Sequence, residues 1–392
     1  MANRGVKIIG MGAVSAIGHD VPSTLTSLLD SRSGVAPMTI CHSDLNVPAG
    51  EVKMTDEAIA SALGIDHKNQ SRTTLLAMTA AREAIASAGI TPDELGHASL
   101  ISATTTGGMN ETPQFYKDFA SDNSRGRLRH VVHHPCADHT DVVASTLGIG
   151  GWRTTISTAC SSGANAILTA AMMIEAGMAD TVIAGGADAL CRFTLGGFNS
   201  LKILSREPCH PLSEGRDGLN LGEGAAYVVL TASDAHPTIG WLAGWHNAND
   251  AHHQTAMSDD GRGAQDAMRG AMVKAAITPQ EIGYINLHGT ATPNNDQTEM
   301  AAIRALWGDA LPHFGSTKGL TGHSLAAAGA LEAVFCLLGL QKDVAWKSAG
   351  LTTPMIGQPI PTTTNAPIGT PYALSNSLGF GGNCTSLIFK KA

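Results

Sequence analysis

Short apolar runs alternate with longer, helically spaced apolar stretches from one end of the chain to the other. Runs rich in β-branched and aromatic residues predict strands at Val6–Ile9, Ser99–Thr104, Thr155–Thr158, Thr181–Gly185, Ala225–Leu230, Thr238–Ala248, Tyr284–Leu287, Tyr372–Ser377 and Ser386–Phe389. Between them, apolar residues at helical spacing predict helices at Ser23–Ser31, Thr73–Ala88, Cys160–Glu175, Gly261–Ala276, Asp296–Trp307 and Leu325–Gln341. Strand and helix in alternation imply layered α/β architecture. Two of the helices are apolar on nearly every face. After Arg153 the next charge is Glu175, and Leu325–Gln341 carries little besides Glu332. Helices of that kind belong in the middle of a domain.

At 392 residues the chain exceeds the roughly 250–300 at which a single core stops growing, so two domains or a duplicated fold is expected. Pro237 is the best internal boundary, dividing the chain into halves 1–235 and 236–392. Each half opens with a strand and places a small-residue turn before a buried helix: Cys160-Ser161-Ser162-Gly163 in one, His323-Ser324-Leu325-Ala326 in the other. Aromatics make up only 4% while glycine numbers 44, which suits close helix–sheet packing. The net charge of -8 disfavours nucleic acid and anionic membrane as partners. No run of about 18 apolar residues stands out as a membrane span. The seven cysteines are scattered without a C-x-x-C pair, and the first ten residues read as a strand rather than a signal peptide. A reducing, cytoplasmic setting follows.

The chemistry concentrates in strand-end turns. Cys160 lies between a strand and the start of a buried helix, where unpaired backbone N–H groups and the helix dipole favour negative charge. A thiol there is expected to ionise more readily than a free one and to serve as nucleophile, against the plainer reading of an inert buried cysteine. His288, in Leu287-His288-Gly289-Thr290-Ala291-Thr292-Pro293, and His323, in Lys318-Gly319-Leu320-Thr321-Gly322-His323, each follow a strand-like run. Taken singly, each histidine is more often structural. One cysteine and two histidines in three such turns point to catalysis.

Other readings fit less well. Gly322-His323-Ser324-Leu325-Ala326 nearly matches a hydrolase elbow, but no histidine follows His323 to complete the triad in order. Gly10-Met11-Gly12 opens like a dinucleotide fingerprint, but Ser15 stands where the third glycine belongs. A zinc site in the run His130–His139, which holds His133, His134, Cys136 and Asp138, lacks regular ligand spacing.

Together the segments Thr158-Ala159-Cys160-Ser161-Ser162-Gly163, His288-Gly289-Thr290-x-Thr292-Pro293, Lys318-x4-His323 and Gly379-Phe380-Gly381-Gly382 resemble the β-ketoacyl-acyl carrier protein synthases. These are the decarboxylating condensing enzymes of the thiolase fold, and the likeness runs from Val6 to Phe389. Thiolase itself is a closer rival than the hydrolases, with Cys384 near its second catalytic cysteine, but the Lys318/His323 motif belongs to the decarboxylating branch.

The resemblance implies five layers (αβαβα), a dimer whose interface includes the strand entering Cys160, and no cofactor or metal of its own. The phosphopantetheine arrives on an acyl carrier protein. Cys160 takes the acyl chain. His288 and His323 donate to the enolate formed when malonyl-carrier protein loses CO2, each such donor supplying ~3–4 kcal/mol. The backbone N–H groups of Cys160 and Phe380 form an oxyanion hole, Lys318 pairs with Glu332, and Phe380 acts as a gate between Gly379 and Gly381. Thr290 and Thr292 hold the phosphopantetheine, and Asp250 is a further substrate-site residue. Lys202, Arg206 and Arg72 are candidates for the carrier-protein docking surface. Two histidines match the elongating type, and the intact Cys160 argues against the alternative, a non-catalytic chain-length-factor-like partner. Homodimer and heterodimer both remain open. The chain departs from the pattern at Asn383-Cys384, where Thr-Asn is usual, and at Leu212-Ser213, where Phe-Asp is usual. The polar run His130–His139 suits a polar or polyene acyl chain better than a plain alkyl one.

Overall fold

The computed structural model describes residues 5–392; residues 1–4, with which the opening stretch begins, lie outside it. The strands are β1 (Val6–Ser15), β2 (Val35–Pro37), β3 (Pro48–Gly50), β4 (Ser99–Ala103), β5 (Arg153–Ile156), β6 (Thr181–Asp188), β7 (Gly224–Thr231), β8 (Gly240–Asn249), β9 (Ile282–Asn286), β10 (His313–Gly315), β11 (Tyr372–Gly379) and β12 (Asn383–Lys390). All but the β2–β3 hairpin join one network in the order β10-β9-β11-β12-β8-β1-β7-β6-β4-β5.

That order repeats itself. In the first five strands β4 pairs in parallel with β5 and β6, and β7 lies antiparallel between β6 and β1. In the second five β9 pairs in parallel with β10 and β11, and β12 lies antiparallel between β11 and β8. Among the described residues the strands of the two sets pair only where Val6–Ile8 meets Gly240–Leu242. The helices Ser162–Glu175 and Ala328–Lys342 pack against each other and against both sets, forming the largest apolar core. Arg72–Ala88 covers the outer face of the first set and Arg262–Ala275 the outer face of the second, each with its own core. The result is helix, sheet, helix, sheet, helix: the layered α/β thiolase fold.

Small residues make the layers possible. A Cβ at Gly12 on β1 would collide with the carbonyl of Ala80, and one at Gly244 on β8 with the carbonyl of Ala271. The outer helices thus lie directly on the strands. This also accounts for Gly10-Met11-Gly12, which continues β1 to Ser15 past a register shift and does not form a turn.

Several boundaries shift from expectation. The central helix begins at Ser162, so Cys160 lies in the turn before it, and β5 ends at Ile156. The other central helix opens with a 3₁₀ turn at Leu325–Ala327. Leu325–Lys342 is long and apolar enough to cross a membrane, contrary to the sequence reading, but 89% of it is buried between the sheets. Cys136–Leu147 and Arg192–Ser200 are helical although polar and glycine content hid them.

Candidate active site

The nucleophile turn is tight. Ala159 takes a left-handed φ of 54°, which costs a non-glycine residue stability. Thr158 N–H donates to Ser162 Oγ at 2.8 Å, and Ser162 Oγ donates to the Ala159 carbonyl at 2.5 Å. A partly buried amide cluster ties this turn to the gate strand. Asn383 Oδ1 accepts from Ser161 Oγ at 2.7 Å, Asn165 Nδ2 at 2.8 Å and Asn247 Nδ2 at 2.9 Å.

Cys160 is 4% exposed, and this burial pushes its thiol up to about 12. The Lys318 charge and the backbone N–H groups of Phe380 and Cys160 pull the other way without prevailing. The expected easy ionisation at a helix start is therefore corrected: loss of water around the thiolate outweighs the nearby donors.

His288 follows β9. The Glu299 carboxylate accepts from the backbone N–H groups of His288 and Gly289, both at 2.8 Å. Burial lifts the Glu299 carboxyl to about 7 against those bonds. Lys318 Nζ stands 3.3 Å from His288 Nδ1 and is ion-paired with Glu332, all three side chains buried. An ammonium only donates, so Nδ1 accepts and the neutral ring carries its proton on Nε2. Burial, then the Lys318 charge and His323, hold His288 well below the usual histidine range. Burial and Lys318 do the same for His323. Burial also raises the Glu332 carboxyl to about 7, opposed by Lys318.

His323 is fixed through its backbone, donating to the Asn220 carbonyl at 2.7 Å and accepting from Gly222 N–H at 2.8 Å. Its Nδ1 is buried without a protein partner among the described residues. The two imidazoles meet edge to face at 5.1 Å between centroids. The Cys160 sulfur and one nitrogen of each histidine lie within 4.8 Å of one another.

These three residues line a cavity of about 360 Å³ whose wall includes Thr290, Thr292, Gly379 and Phe380. The Thr290 and Thr292 hydroxyls are 2.9 Å apart. Phe380 is half-buried and stacks on Phe198 at 5.8 Å. Gly381 and Gly382, at φ 85° and 83°, let the chain turn sharply beside it.

Asp250 and Gly381 do not line the cavity. Asp250 accepts from Ser258 N–H at 2.6 Å and Oγ at 2.7 Å, and Gly381 N–H donates to the Gln254 carbonyl at 2.7 Å. Both brace the segment that brings Thr255 and Met257 to the wall. Arg72 is also misassigned as docking surface: it is buried and bonded to Glu223 and Asp56. In the polar run, His133 bonds Asp138 at 2.8 Å, His134 bonds Thr112 at 3.1 Å and His139 bonds Ser102 at 2.6 Å, so each ring has its own partner. Sequence reasoning missed Glu299, Asn165 and Asp188; the partners Asn383 of Asn165 and Ala326 of Asp188 lie far off in the chain.

Two family models match the chain: "Beta-ketoacyl synthase, N-terminal domain" over residues 3–236 and "Beta-ketoacyl synthase, C-terminal domain" over residues 239–352. The chain belongs to the β-ketoacyl synthase family of condensing acyltransferases. It is 33% identical over 414 residues to 3-oxoacyl-[acyl-carrier-protein] synthase 2 of Staphylococcus aureus (strain COL), covering 99% of both chains. Among solved structures it superposes on the ishigamide ketosynthase/chain length factor with a TM-score of 0.93 and 28% identity, covering all of both chains. The ketosynthase ApeO in complex with its chain length factor ApeC, from Xenorhabdus doucetiae, gives 0.86 and 32%, covering 99% of this chain and 98% of that one.

Proposed function

We propose that this chain is an elongating 3-oxoacyl-[acyl carrier protein] synthase. The observation that carries the reading is the meeting of Cys160, His288 and His323 at one cavity, with the His288 proton held on Nε2 by Lys318. Cys160 attacks the thioester of an acyl-carrier protein. Its thiol proton passes to the departing pantetheine sulfur, leaving an acyl-Cys160 thioester. Malonyl-carrier protein then loses CO2, and charge collects on its thioester oxygen. His288 Nε2–H and His323 donate to that oxygen as neutral imidazoles, which the burial of both rings favours. The carbanion attacks the acyl carbonyl, and the Cys160 thiolate leaves to give the 3-oxoacyl product.

A thiol that resists ionisation suits this order, because it stays protonated until a thioester fills the cavity. Thr290 and Thr292 hold the phosphopantetheine, and the Phe380 gate moves off Phe198 when the second substrate enters. No cofactor of the protein's own enters any step. Asp250, Gly379 and Gly381 act as supports of the gate and wall.

Exposed Lys202, at the cavity rim, and Arg206 receive an acidic carrier protein. Charge reversal at Arg206 is expected to weaken that affinity several-fold. β5 is a sheet edge whose neighbour Trp152 is 55% exposed, and Leu128 and Val132 are also exposed. These features support a dimer through that edge, with a second copy or a related subunit as in the ApeO–ApeC complex. The polar run His130–His139 supports a polar or polyene-like acyl chain. The repeated strand order and the two family matches support a division near residue 236. Seven free cysteines agree with a reducing, cytoplasmic compartment. The intact triad favours a catalytic subunit over a chain-length-factor-like partner.

The test is intact mass after incubation with a panel of acyl-carrier proteins. An acyl adduct on the wild type that Cys160→Ala lacks is expected. No adduct from any donor, with or without a related subunit, would overturn the reading.

A further inference from the structure

Asp188 is a fully buried carboxylate to which the mechanism gives no role. Asp188 closes β6 and makes no ion pair among the described residues. Instead it gathers donors from two distant turns. Oδ1 accepts from Thr104 Oγ1 at 2.6 Å, Thr105 N at 3.0 Å, Thr106 Oγ1 at 3.0 Å and Thr106 N at 3.2 Å. Oδ2 accepts from Thr105 Oγ1 at 2.6 Å, Ala326 N at 2.8 Å and Thr105 N at 3.2 Å.

Ala326 matters because of where it stands. It lies three residues past His323, directly after Leu325, which is held at φ 52°. A leucine in that region is strained and stays there only if its surroundings hold it. On one side His323 is pinned by Asn220 and Gly222. On the other, the Asp188 bond to Ala326 N–H fixes the strained turn. The Ala326 carbonyl is in turn packed so closely on the nucleophile helix that a Cβ at Gly163 would lie 2.6 Å from it.

We propose that Asp188 is a positioning residue for His323: it holds the Leu325–Ala326 turn so that the imidazole faces the enolate. The idea rests on the functional reading above and adds a residue that acts on one half-reaction only. The hydrogen bonds that set the Cys160 turn run through Ser162 and Asn383 and do not include Asp188, whose charge reaches the thiol only through space and disfavours its thiolate. An asparagine at 188 presents one acceptor and one donor, so one of the two turns faces a donor where it needs an acceptor.

The experiment measures two rates on the purified full chain: loading of Cys160 from hexanoyl-carrier protein by intact mass, and CO2 release from malonyl-carrier protein. Asp188→Asn is expected to slow CO2 release roughly 10–100-fold, as a displaced catalytic group does, while loading changes less than about three-fold. Asp188→Glu, which keeps both acceptors, is expected to recover part of the loss. If Asp188→Asn does not fold, Thr105→Val, which frees Oδ2 of one hydroxyl, is expected to slow CO2 release selectively and by less. Equal loss of both rates in the folded variant, or no change in CO2 release, overturns the proposal. A wild type that loads from no acyl donor and releases no CO2, with or without a related subunit, would instead overturn the functional reading beneath it.

Discussion

The two halves of the molecule share a strand order but not a chemistry. After β5 and after β10, at matching places in the two sets, the chain turns into a central helix. The first turn carries Cys160 and the second carries Lys318 and His323. After β4 and after β9 come another matching pair: the threonine turn 104–106 and His288. In the first half the Cys160 turn is held by hydroxyls and amides such as Ser162, Asn165 and Asn383, and the nearby buried Asp188 carboxylate opposes a thiolate. In the second half the histidines stand beside a buried ammonium–carboxylate pair and a second buried carboxylate. The difference teaches that one frame can divide a two-step reaction. The first half, by burial and the Asp188 charge, disfavours the thiolate. The charged half fixes the tautomer of a hydrogen-bond donor.

The largest effect that would sharpen this comparison is loss of the nucleophile. Cys160→Ala is expected to reduce condensation by on the order of 10³-fold or more, read as 3-oxoacyl product. In the charged half, His288→Ala is expected to lower malonyl decarboxylation about 10²–10³-fold, the usual effect of removing a transition-state donor. Lys318→Met leaves the Glu332 carboxyl buried without its cation. It is expected to cost about 3–5 kcal/mol of stability in urea unfolding, with Glu332→Gln alongside recovering part of it. Recovery of nothing would mean that the lost stability does not come from an unpaired Glu332 carboxylate.

A smaller effect tests burial of the histidines. Burial holds both rings well below the usual range when folded, so between that lowered value and the unfolded value of about 6.5 the unfolded chain binds more protons. Stability contributed by neutral His323 is present above pH 6.5 and lost as pH falls. The loss grows as the pH is lowered below 6.5. His323→Asn is expected to lose correspondingly less over that interval, read as the difference in unfolding midpoints between variant and wild type. Identical pH slopes would mean the ring is hydrated.

Much of the site was legible in the sequence because strand-end turns with glycine are local signals. Cys160, His288, Lys318, His323 and Phe380 each sit in one. What the sequence hid was the partner across space. Asp188 and Ala326 are 138 positions apart, and Ser161 and Asn383 are 222 apart. No periodicity joins them. Arg72 looked like surface because a lone arginine usually is. It is buried only because Glu223, from the opposite end of the half, folds onto it. The acidity of Cys160 was misjudged for a related reason. The helix start was visible, but the loss of solvent that outweighs it is a property of the assembled layers.

The division of labour is tested most directly by measuring both half-reactions on Cys160→Ala and His323→Ala in parallel. The account predicts that Cys160→Ala fails to load acyl groups yet still releases CO2 from malonyl-carrier protein, while His323→Ala loads normally and releases little. Loss of both half-reactions together in each folded variant would contradict it.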